Sequence, residues 1–109
     1  MENVDNATHK NWHETIKTAI NSELDTLVAK LLDKATSAPT IDDKIRITSK
    51  VAGVLHVMKN YGEQLNQMSS DADMRKIINQ IHTDFSAEPS DDIARGMDAA
   101  GVIIYSHFN

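Results

Sequence analysis

Apolar residues recur along most of this chain at steps of three and four, the period of an α-helix packed on one side. The first run is Trp12, Ile16, Ile20, Leu24, Leu27, Val28, Leu31, Leu32 and Ala35. It predicts a helix over 11–35, about 24 residues or roughly 36 Å long. Asn11-Trp12-His13-Glu14 reads as a capping box at its start, with Thr8 as an alternative cap one turn earlier. Ser37-Ala38-Pro39-Thr40 ends it, because the residue before a proline is pushed out of the α region. Thr40 then caps a second helix, and Asp42 and Asp43 in its first turn favour the positive helix end. Its stripe is Ile47, Val51, Val54, Leu55, Met58, Tyr61, Leu65 and Met68. Leu31 and Leu55 are both assigned to the buried face, and His56 opposite it to solvent. Gly62 interrupts the pattern, either to let another backbone approach or as a weak point.

Two shorter helices follow. Ser69-Ser70-Asp71-Ala72-Asp73 is a break and cap, and Met74, Ile77, Ile78, Ile81 and Phe85 make the third stripe. Ser86-Ala87-Glu88-Pro89-Ser90 is the last loop, before Ile93, Met97, Ala100, Gly101, Ile104 and Phe108. Within 101–106, β-branched residues are apolar all round, so a short terminal strand competes with helix. Helix is favoured because the stripe from Ile93 continues through in phase, and Ala99, Ala100 and Gly101 then allow close packing. The expected fold is all-α: one domain over 1–109, with an N-terminal tail at 1–8, a long antiparallel helical hairpin at 11–68, and two shorter helices at 70–109 packed on it.

Composition narrows the chemistry. The chain has 109 residues and no cysteine, which removes disulfides, thiolate metal sites and thiol nucleophiles. No apolar run reaches the roughly 20 residues of a membrane span, and the polar start is not a signal peptide, so a cytoplasmic protein is expected. The net charge is -5. Residues 1–60 balance, and the acidic excess lies beyond Tyr61, where it disfavours nucleic acid and anionic lipid and suits a basic partner.

Candidate chemistry is sparse. His9 and His13 share a helix face at a spacing that can hold a metal but lack a local third ligand; a hydrogen-bonded pair near Tyr61, Gln64 and Leu65 is the plainer reading. Asp42-Asp43 and Asp91-Asp92 sit where caps are expected. Ser106-His107 is adjacent in sequence, which does not bring the side chains together. No enzyme, cofactor or metal is expected. Lys30, Lys34, Lys44, Arg46 and Lys50 cluster near the hairpin turn and are the one foothold for nucleic acid, with Asp33, Asp42 and Asp43 interleaved. Ile41, Ile45 and Ala52 lie on one line away from the main stripe of the second helix, and Val102, Ile103 and Tyr105 add apolar surface near the end of the chain. These six residues are the expected contacts for a protein partner or self-association; helices three and four covering Ile41, Ile45 and Ala52 is the alternative.

The stretch Leu31-Leu32-Asp33-Lys34-Ala35, then Ile41-Asp42-Asp43-Lys44-Ile45-Arg46 and Val51-Ala52-Gly53-Val54-Leu55, resembles small helical-hairpin proteins of tailed phages, encoded among structural and packaging genes. In those a first helix ends near a short acidic turn, and a second carries a basic residue and a small-Gly-apolar step. The resemblance covers roughly a third of the chain. It implies a virion-associated or assembly-accessory role within a larger oligomer or complex, and it assigns no site residues. A nucleic-acid-binding packaging factor and an inhibitor of a host protein are the rival readings.

Overall fold

A computed structural model describes the backbone of residues 2–107 and the side chains of residues 14–107. Four helices account for it: α1 (Glu2–Ser37), α2 (Ile41–Gln67), α3 (Asp71–Ala87) and α4 (Asp91–Ser106). The described residues contain no strand, and 101–106 is helical. α1 runs back through Asn11 and Thr8 to Glu2. A cap residue favours a start without imposing one, and residues 2–10 hold no proline or glycine to stop the helix. The side chains of His9, Asn11, Trp12 and His13, and all of Phe108, lie outside the described residues.

The other three starts are capped by hydroxyls. Thr40 Oγ1 accepts from the Asp43 amide at 3.1 Å, Ser70 Oγ from Asp73 at 3.2 Å, and Ser90 Oγ from Ile93 at 3.4 Å. Each satisfies one of the amides that a helix start leaves without a partner. Asp73 also accepts from the Ser69 amide at 3.1 Å, and that bond is the main reason its carboxyl is held below the usual range.

α1 and α2 pack on each other in opposite directions, and lysines tie both ends. Lys44, in the first turns of α2, donates to the carbonyls of Ala35 and Thr36 at 3.1 Å each. Lys17 of α1 donates to the Asn66 carbonyl at 2.8 Å. Each ammonium therefore meets last-turn carbonyls and the negative dipole end of the other helix. α2 packs most extensively not on α1 but on α4, and α3 packs mainly on α4.

The α2–α4 contact is close because glycines meet there. A Cβ on Gly53 would fall 2.9 Å from Gly96 Cα and 2.7 Å from the Met97 amide nitrogen; one on Gly96 would fall 2.8 Å from the Lys50 carbonyl carbon. Gly62, read as either a close-approach position or a weak point, has nothing within 4 Å of such a position. The core is aliphatic: Ile16, Ile20 and Leu24 from α1, Val54, Val57 and Leu65 from α2, Met74, Ile77 and Ile81 from α3, and Met97, Ala100 and Ile104 from α4. Tyr61 and Met68 close it, with Leu27, Val28, Leu31, Met58 and Ile103 half-buried around it. At the far end, His107 and Glu23 join α4 to α1 at 3.0 Å. No described helix is long and apolar enough to cross a membrane.

Candidate functional site: an uncovered apolar seam on α2

The buried face of α2 is centred on Val54 and Val57, toward α4 and α1. At 100° per residue, Ile41, Ile45 and Ala52 point roughly the opposite way. α3 and α4 do not cover them. Ile41 is 73% exposed and Ile45 57%, and Ala52 is exposed too. Leu55 joins this line. It was expected in the core but is 46% exposed, because α4 draws in the other flank of Val54, where Gly53 and Val57 lie. The spacing Ile41, Ile45, Thr48, Ala52, Leu55 alternates four and three, so the five positions form one continuous seam.

α1 extends the same surface. Leu32 is 47% exposed, on the flank of α1 turned away from Glu23, which faces α4 through His107. The helix ends and the Lys17–Asn66 bond set the register and place Leu32 level with α2 between Arg46 and Val51. Four of the six large exposed apolar side chains of the described residues therefore belong to the α1–α2 pair. The chain-end group is smaller than expected. Val102 and Tyr105 are exposed, but Ile103 packs half-buried against the core and is withdrawn from that surface. Ile103 lies seven residues from Gly96 and so on its flank of α4, the side packed on α2.

The basic cluster near the turn is partly spent on structure. Lys44 is held on the α1 carbonyls. Lys50 is half-buried, with its backbone carbonyl against Gly96. Lys30, Lys34 and Arg46 are exposed, so the structure does not gather the five into one basic face. His56 is exposed, as expected, and its carbonyl and ring are both within reach of the Asn60 amide, at 2.8 and 3.1 Å.

An open groove lies along α3, with Tyr61 of α2 at its edge and a volume near 800 Å³. There the Tyr61 hydroxyl donates to the Asp84 carboxylate. Burial, and then this neighbouring carboxylate, raise the Tyr61 phenol well above its ordinary pKa. Gln80 Oε1 is buried beside them without a hydrogen-bond partner. Arg75 and Lys76 share the rim with Asp71, so the groove presents mixed charge to a ligand. Among the described residues, no three His, Asp or Glu side chains cluster as metal ligands. Periodicity alone does not find this groove, since Tyr61 reads as a stripe residue and Asp84 as a solvated one.

No protein-family model, no curated protein and no solved structure matches the chain.

Proposed function

We propose that the protein is a non-enzymatic protein–protein interaction module: a long helical hairpin, braced from one side by two shorter helices, that presents its other side to an assembly. The observation that carries this reading is the uncovered seam of Ile41, Ile45, Ala52 and Leu55, continued by Leu32. Single exposed aliphatic side chains are ordinary, but a contiguous apolar patch of several hundred Å² marks a contact surface. The seam also lies on a helix pair whose two ends are bridged by lysines. The resemblance to tailed-phage hairpin proteins supports a small structural or assembly-accessory component as the role.

The test is the mass of the protein in solution, alone and in lysate of the source cells, for wild type and for Ile41→Lys with Ile45→Lys. The proposal expects the wild type to run above the mass of one chain in at least one condition. It expects the double variant to lose that mass while keeping its helical signal. A wild-type chain that stays single in both conditions overturns it.

A further inference from the structure

We infer that the occupant of the α2 seam is a second copy of this chain, laid antiparallel along the first. The inference rests on the interaction reading above and names its partner. The first argument is spacing. Ile41, Ile45, Thr48, Ala52 and Leu55 follow one another at +4, +3, +4 and +3, a mean repeat of about 3.5, which holds one stripe against another helix over several turns.

The second argument is charge. The first turn of α2 carries Asp42, and the far end of the seam carries His56 and Lys59, all exposed. A parallel copy sets Asp42 against Asp42 and Lys59 against Lys59. An antiparallel copy sets Asp42 of each chain beside His56 and Lys59 of the other, and opposes the two helix dipoles. In that register Ile45 meets Leu55 of the second copy, Thr48 meets Ala52, and Ile41 lies along the methylene stem of Lys59. The small Thr48–Ala52 layers lie at the centre, and Leu32 of each α1 stands level with them to fill the space beside the small residues.

The third argument is area. The exposed parts of Ile41, Ile45, Leu55 and Leu32 amount to something on the order of 400 Å² of apolar surface per copy. Two such faces, with Asp42, Ser49, His56 and Lys59 as a polar rim, reach the range of about 1,200 Å² in total where stable interfaces begin. The contact uses the same patch on both copies, so it closes at two chains.

The experiment uses the full chain. Sedimentation equilibrium should show two copies for the wild type. Ile45→Lys with Leu55→Lys should raise the dissociation constant by about 100-fold or more, with unchanged helical content. Orientation is read separately, since the chain has no cysteine. Asp42→Cys and His56→Cys proteins, mixed and oxidised, should cross-link to each other, and neither alone should cross-link to itself. Self-linking of Asp42→Cys overturns the antiparallel arrangement. A wild type that remains a single chain at about 100 μM overturns the second copy as occupant. If that single chain still enters a larger complex in lysate through Ile45, only this inference falls; if it does not, the interaction reading falls with it.

Discussion

Gly53 of α2 and Gly96 of α4 face each other so closely that a Cβ on Gly53 would lie 2.9 Å from the Gly96 Cα. The neighbours are backbone, which cannot rotate away as a side chain does. Gly53→Ala and Gly96→Ala should therefore each cost about 1–3 kcal/mol from overpacking, despite the better helix propensity of alanine. Gly62→Ala is the control. Nothing stands within 4 Å of its added methyl, so it should stabilise by up to about 1 kcal/mol. Urea denaturation of the three variants checks both signs.

Leu24 is fully buried and Leu55 is half exposed. Leu24→Ala should cost about 2–5 kcal/mol. Leu55→Asp should stay within about 1 kcal/mol at concentrations where the chain is single, because the carboxylate keeps its water. Thermal melts at micromolar concentration distinguish the two. A Leu55→Asp loss as large as that of Leu24→Ala would put Leu55 back in the core.

The contrast between these leucines shows what the sequence can and cannot carry. The starts of α2, α3 and α4 are legible because their signals are local: Thr40, Ser70 and Ser90 each cap within three residues, and Pro39 and Pro89 sit in the breaks, whereas the cap signals at Asn11 and Thr8 do not mark the start of α1. The stripes of α3 and α4 were legible because Met74, Ile77, Ile81, Met97 and Ile104 leave one choice of inner face. α2 touches two helices, so its buried arc is wide and its centre depends on which flank of Val54 has the closer neighbour. That neighbour is admitted by Gly53, which carries no hydrophobic signal, so periodicity assigns Leu55 to the inside and passes over Val57. The seam residues Ile41, Ile45 and Ala52 were found from their angle alone. Their exposure was not legible, since it depends on where α3 and α4 fold.

Lys44 looked like part of a basic surface, but its ammonium is 3.1 Å from two carbonyls at the end of α1. Lys44→Met keeps the stem and removes the charge. It should cost roughly 0.5–1.5 kcal/mol, and the loss should shrink in high salt as the dipole is screened. Hydrogen exchange should rise most at amides near 33–37 and near the start of α2. Uniform loosening across all four helices would count against a local capping role.

The Tyr61–Asp84 bond makes stability fall at alkaline pH. An unfolded tyrosine ionises near pH 10, and in the fold the phenol is raised above that, first by burial and then by Asp84. Below about pH 10 both states keep the proton, and this contribution is fully present. Above it the unfolded chain gives up the proton while the fold resists, so the unfolded state binds fewer protons and stability drops as pH rises. Tyr61→Phe should be less stable than wild type at neutral pH by about 1–2 kcal/mol, with Asp84 left without its donor. It should also lose less than wild type between pH 9 and 11. Parallel wild-type and variant slopes over that interval would remove Tyr61 as the cause.

The remaining basic residues decide how the protein meets nucleic acid. With Lys44 on the α1 carbonyls and Lys50 half-buried, Lys30, Lys34 and Arg46 are left of the original five, and Asp33 and Asp42 lie among them. Three cations neutralise about three phosphates, which gives a log–log salt slope near -3 and weak attachment at low salt only. The net charge of -5 opposes even that. Titration of labelled duplex and single-stranded DNA should therefore show no micromolar binding at physiological salt. Binding that survives there, and disappears in Lys34→Glu with Arg46→Glu while the α2 seam is intact, would replace the protein-partner reading with a nucleic-acid one.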